Sequence, residues 1–211
     1  GMNNVDAAAI RIIYETSYMA IKYKAQMQPG EVLLVHGGAG GVGTSAIQVG
    51  KALGGMVIAT ATGDRDIQVC LDTGADHVID WQNEDIVTRV KELTDGRGAD
   101  VIYDPVGGDA FDASTHCINF EGRLIVIGFA SGRIPEIKGH MILNKNMSVM
   151  GFFWTNGATA SASRFSSRRF LVIHSSNRPR SASSARLLAS MVSRYRRLFS
   201  WFMRSMNRMP G

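Results

Sequence analysis

The feature that most constrains this chain is a glycine cluster, Gly38-Ala39-Gly40-Gly41-Val42-Gly43, set between a short apolar run and a stretch of helical periodicity. It fits G-x-G-x-x-G, with Gly38, Gly40 and Gly43 at the motif positions. The pattern alone is weak. Here it follows an expected strand (Glu31–His36) and opens an expected helix (residues 43–53), which is the setting a dinucleotide turn requires. Backbone that turns sharply and approaches a diphosphate has no room for a side chain at Gly40 or Gly41. The anion would meet unpaired N–H groups and the positive end of the helix dipole. The bland alternative is a flexible strand-to-helix turn, against which the periodicity on both sides weighs. No Gly-Lys-Ser/Thr follows, so a Walker-type phosphate loop is excluded.

From there strands and helices alternate. Strands are expected at 56–60, 77–79, 100–104, 123–127 and 147–152. Between them lie a helix capped by Asp64 or Asp66 and ended by Gly74, a helix 84–94 opened by Asn83, a short helix 109–118 and a turn at 139–144. Strands that are continuous apolar runs separated by helices imply a parallel sheet covered on both faces. The fold class is α/β, a doubly wound Rossmann sheet of order 3-2-1-4-5-6, preceded by one helix at 5–26 and followed by an irregular basic tail.

Charge divides the chain. All 18 acidic residues lie between Asp6 and Glu136; with 12 Lys and Arg, residues 1–157 stand at −6. Residues 158–211 hold 11 Arg, no Lys and no acid. The expected organisation is a bridging helix (1–25), a dinucleotide-binding domain (26–157) and an Arg/Ser-rich tail (158–211), disordered or out of frame. Within the tail, 187–203 has the spacing of an amphipathic helix. Eleven cations suit nucleic acid or an anionic membrane surface. The abrupt loss of Asp, Glu and Lys favours a shifted reading frame or an altered splice near residue 156. For the domain itself neither nucleic acid nor membrane is expected. No apolar run is long enough for a transmembrane helix, and the start lacks a secretory pattern. Cys70 and Cys117 make no disulfide framework, which suits a reducing, cytoplasmic setting.

Cofactor choice is read at the end of the second strand. An NAD site places a carboxylate there; this chain has Thr60-Ala61-Thr62-Gly63, then Asp64 and Arg65. Without that carboxylate a 2′-phosphate is not repelled, and Thr60, Thr62 and Arg65 can donate to it, favouring NADPH over NADH.

The segments 32–54 (VLLVHGGAGGVGTSAIQVGKALG), 74–80 (GADHVID), 98–112 (GADVIYDPVGGDAFD), 122–135 (GRLIVIGFASGRIP) and 145–154 (KNMSVMGFFW) together resemble the quinone oxidoreductase, zeta-crystallin-like branch of the medium-chain dehydrogenases. The resemblance covers about residues 7–155 and fades near Thr155-Asn156. It implies a catalytic barrel domain ahead of this one, hydride delivery from NADPH to a quinone or enone, and no metal. It also implies a homodimer through the sheet edge at Met147–Phe152. By position, Thr16 matches a threonine near the nicotinamide, and Gly40, Gly41 and Val42 match the pyrophosphate turn. Val106 and Gly107 match the loop beside the adenosine half, and Gly128, Phe129, Ala130 and Ser131 the nicotinamide pocket. Two positions depart: Trp81 stands where a tyrosine touching the 2′-phosphate is common, and Asp66 where a lysine is common, with Arg65 as its substitute.

Other chemistry-bearing residues read as structural. His116-Cys117 has no second Cys/His cluster at ligand spacing, and Cys70 reads as a small core residue. His36 is expected to pack or hydrogen-bond near the loop, Tyr14, Tyr18 and Tyr23 to pack, and Asp104 to stabilise a turn. No general acid or base is assigned. The rival to an oxidoreductase is a catalytically silent, truncated dinucleotide-binding module.

Overall fold

The structure is a computed structural model that describes residues 12–153. Readings that concern residues 1–11 and 154–211, the Arg/Ser tail and its amphipathic stretch included, lie outside the described residues.

Six strands form one sheet: β1 (Val32–Val35), β2 (Met56–Ala61), β3 (His77–Asp80), β4 (Ala99–Asp104), β5 (Ile118–Val126) and β6 (Ser148–Gly151). Their order is β3-β2-β1-β4-β5-β6, and every neighbouring pair is parallel. This is the doubly wound order expected from the alternation. Parallel pairing demands a crossover between strands, supplied by α2 (Gly41–Ala52), α3 (Asp64–Thr73), α4 (Ile86–Leu93), α5 (Gly108–Cys117) and α6 (Gly139–Lys145). The preceding helix, α1, covers residues 12–24 and closes in a wider π turn at Met19–Lys24, where the Ala25 N–H donates to the Ala20 carbonyl.

Side-chain alternation along the strands sorts the core onto two faces. On one, Val32, Leu34, Ile58, Ile79, Ile102 and Leu124 bury against Ile86 and Val90 of α4 and Phe111 and Cys117 of α5. Each such aliphatic side chain contributes about 2 kcal/mol by leaving water. The other face carries α1, α2 and α3, and Gly50 brings α2 onto the side chains of Leu33 and Val57.

Several boundaries move for identifiable reasons. α2 starts at Gly41 rather than 43 because Gly40 takes the extended cap conformation, which puts Gly43 inside the first turn. α3 is capped by Gly63 (φ +77°), not by Asp64 or Asp66; both acids stand in its first turn, where their charge suits the dipole. α4 is opened by Asp85, whose carboxylate accepts from the Thr88 N–H at 2.8 Å. Asn83 instead donates to Asp80 in the turn before it. β5 begins five residues earlier than expected, at Ile118, and reaches its main register through Glu121 at φ +58° and a shift opposite Ala99–Val101.

Candidate functional site

Because the sheet is parallel, the C-terminal ends of β1 to β5 and the turns that follow share one edge. The chain reverses its direction of growth between β1 and β4, and that switch point is where open α/β sheets leave a crevice. Both turns flanking it are occupied by the glycine segments singled out in the sequence.

After β1, Gly37 takes φ +58° and the Gly38 N–H donates to the Thr60 carbonyl at 2.8 Å. A methyl group at Gly38 would lie 2.7 Å from Cys70 Sγ and 2.8 Å from Ala59 Cβ; one at Gly43 would strike the backbone of Gly37 and Gly38. Those two glycines are therefore required by the protein's own packing. Gly41 is different. It is exposed, and a methyl group there would meet only Ile13, at 3.7 Å. Gly40 is exposed too, 3.2 Å from the Gly37 carbonyl by the same measure. α2 begins with no side-chain cap and no acidic residue in its first turn. Its first N–H groups have no partner inside the helix.

Polar groups hold this turn from both faces of the sheet. On the α2 face, Ser17 of α1 meets Ser45 of α2 at 2.7 Å and the Tyr103 hydroxyl at 3.1 Å. Both serine hydroxyls also lie within hydrogen-bonding distance of the Val42 carbonyl. Burial pushes the Tyr103 hydroxyl up to about 12, so it stays protonated. On the other face His36, fully buried, places Nε2 2.7 Å from Ser114 Oγ and Nδ1 3.3 Å from Thr60 Oγ1. Thr60 Oγ1 in turn accepts from the Gly37 N–H. The Trp81 indole, 37% exposed, stands edge-on to the His36 ring at 6.4 Å.

After β4, Asp104 is fully buried; one carboxylate oxygen accepts from the Val106 and Gly107 N–H groups at 2.8 and 2.9 Å. The other has no partner among the described residues. The segment after β5 folds along this turn. The N–H groups of Ala130 and Ser131 donate to the carbonyls of Pro105 and Val106, and that of Gly108 to Arg133. Arg133 pairs with Asp109 and Asp112 on the exposed side of α5.

The candidates thus gather unevenly. Gly38, Gly40, Gly41, Val42 and Gly43 line the first turn; Val106, Gly107, Gly128, Phe129, Ala130 and Ser131 line the second. Thr62 and Arg65 are exposed beyond the end of β2, near the strand-end position of Trp81. Thr60 turns inward, its hydroxyl engaged with His36 and Gly37 rather than offered at the surface. The hydroxyl of Thr16, also buried, donates back to the Ile12 carbonyl. The reading of residues missed the roles of Ser17, Ser45 and Ser114. Their only sequence signal is a small polar residue on the apolar side of a helix. Among the described residues no three His, Cys, Asp or Glu side chains gather as a metal site. Both cysteines are free and buried, and burial pushes their thiols up to about 11 (Cys70) and about 12 (Cys117).

Comparison with known proteins places this geometry. The zinc-binding dehydrogenase profile matches residues 41–168. A quinone oxidoreductase-like protein 2 homolog from Nematostella vectensis is 40% identical over 148 residues, which is 70% of this chain and 40% of that protein. Quinone oxidoreductase 1 of Escherichia coli is 34% identical over 70% of this chain and 47% of its own length. The structure of Escherichia coli quinone oxidoreductase complexed with NADPH superposes with a TM-score of 0.70 at 31% identity, covering 78% of this chain and 53% of that one. A mycobacterial protein complexed with NADPH gives 0.68 at 29% identity, covering 75% and 52%. The chain spans about 40% to 50% of the length of these relatives.

Proposed function

Because the chain belongs to the zinc-binding dehydrogenase family, in its quinone oxidoreductase branch, we propose that it is the dinucleotide-binding part of a quinone reductase. It holds NADPH for reduction of a quinone or related conjugated carbonyl, without zinc. One observation carries the reading: Gly41, exposed at the uncapped start of α2, is a glycine for which the packing of the described residues gives no reason. A diphosphate against that helix end supplies one.

In this reading the α2 N–H groups bind the diphosphate, while Gly40 and Gly41 let it approach. Thr62, Arg65 and Trp81 hold the adenosine end. The missing carboxylate after β2 and the cation at Arg65 support NADPH over NADH. Val106 and Gly107 border the adenosine half, Gly128–Ser131 flank the nicotinamide end, and the half-exposed Phe129 shields that end from water. The cofactor supplies the hydride; the residues described here bind, orient and exclude solvent. The donor set a catalytic zinc needs is not present among the described residues.

A second reading is a module that binds the dinucleotide but turns over nothing by itself. A homodimer would pair the outer edges of two β6 strands, over Met147–Phe152. Among the described residues no helix is long and apolar enough to cross a membrane, and two buried free thiols suit a reducing, cytoplasmic setting. Titration with NADPH and with NADH, beside a quinone turnover assay, is the test. Tight NADPH binding without turnover supports the silent module, binding with turnover supports the reductase, and no binding by either cofactor ends both.

A further inference from the structure

The cluster of His36, Thr60, Asp104 and Ser114 is buried, polar, and sits directly beneath the crevice. Its hydrogen atoms can be placed. Ser114 Oγ donates to the Ala110 carbonyl at 2.7 Å, so its contact with His36 must be filled by a hydrogen on Nε2. A neutral imidazole then offers Nδ1 as an acceptor, and the Thr60 hydroxyl is the donor that faces it. Thr60 keeps a lone pair for the Gly37 N–H. Donation runs one way: Gly37 to Thr60, Thr60 to His36, His36 to Ser114, Ser114 to Ala110.

We infer that His36 is a positioning residue for dinucleotide binding: as a neutral imidazole it fixes the Thr60 hydroxyl, and through it the Gly37–Gly38 backbone from which α2 presents its N–H groups. The inference rests on the dinucleotide reading above. A second ring proton would turn the acceptor at Nδ1 into a donor. The Thr60 hydroxyl hydrogen would then lose its partner inside a buried cluster, and the turn it holds would shift. Thr60 faces His36 from β2, Asp104 from β4, Trp81 from the end of β3 and Ser114 from α5; of these only Asp104 carries charge. Burial pushes the imidazole below its ordinary value, and the nearby Asp104 carboxylate opposes that push without reversing it.

The test compares NADP+ and NAD+ affinities by calorimetry for the wild-type chain, His36→Gln and His36→Leu, from about pH 8 down to about pH 5. NAD+ lacks the 2′-phosphate that itself titrates in this range. Glutamine can donate to Ser114 and accept from Thr60 without titrating. His36→Gln should therefore bind like wild type at the alkaline end and keep its affinity at the acid end, where wild type weakens. His36→Leu should bind about tenfold more weakly throughout. Superimposable pH profiles for wild type and His36→Gln, or wild-type affinity in His36→Leu, overturn the inference while leaving dinucleotide binding intact. A wild-type chain that binds neither cofactor overturns the dinucleotide reading and this inference with it. NMR of the wild-type chain alone gives an answer independent of any variant's folding. The ring should report a hydrogen on Nε2 at neutral pH, and the Gly37 and Gly38 amides should titrate together with His36. Amides that stay still while the ring takes up its proton rule the coupling out.

Discussion

From the end of β1 into the first turn of α2 the chain packs around two glycines, Gly38 and Gly43, that leave no space for a methyl group, whereas between β4 and α5 it turns around a buried carboxylate. In the first turn, Gly38 lies against Ala59 and Cys70, and Gly43 against the backbone of Gly37 and Gly38. The second is held by two N–H groups on one Asp104 oxygen, with Gly107 and Gly108 at positive φ. Close packing is unforgiving of added volume, while a hydrogen-bonded turn is unforgiving of a lost acceptor. The difference teaches that neighbouring walls of one crevice fail in different ways.

The comparison is most sharply broken in the first turn. Gly43→Ala puts a methyl group into backbone that cannot retreat, and should cost about 3 kcal/mol in urea denaturation. Gly41→Ala, two residues away, should leave stability unchanged or raise it by about 0.5 kcal/mol. It should nevertheless weaken NADPH binding more than tenfold (about 1.4 kcal/mol); unchanged affinity there would remove the diphosphate from this turn. In the second turn, Asp104→Ala should cost about 2 kcal/mol by orphaning the Val106 and Gly107 N–H groups. Asp104→Asn keeps that acceptor and should stay near wild type. Equal losses in both variants would mean that charge, not acceptance, shapes the turn.

Smaller effects should come from protons and from surface pairs. The folded chain resists a proton on His36 that the unfolded chain accepts. Stability should thus be full above about pH 6.5, fall as the pH drops below it, and level off once the folded value is passed. His36→Gln should flatten that part of the profile in thermal denaturation. Smallest of all, Arg133→Ala should leave the denaturation midpoint unchanged within error, because its pairs with Asp109 and Asp112 are exposed and screened.

The sequence made the sheet legible because its signals are local: apolar runs of strand length, helical spacing between them, and glycine at the turns. The order of six strands followed. What stayed hidden was pairing at a distance. His36 finds its partners 24 and 78 residues away, and Ser17 reaches Tyr103 across 86. No periodicity announces such meetings. Thr60 shows the cost: a hydroxyl at a strand end reads as a phosphate donor until the pleat turns it inward. Asp104 was legible as a turn former because an acid before Pro105-Val106-Gly107 has nearby N–H groups to satisfy, although its unpartnered second oxygen was not. The start of α2 at Gly41 and the cap of α4 at Asp85 each lie two residues from the expected position, since each segment offers several residues able to cap.

The edge-on stance of Trp81 toward His36 has an optical consequence. A protonated imidazole quenches a neighbouring indole by drawing an electron from its excited state, and a neutral one does so far less. Light emitted at the rim of the crevice should therefore dim as the buried ring gains its proton, so the chain carries a built-in reporter of the charge beneath its glycine turn.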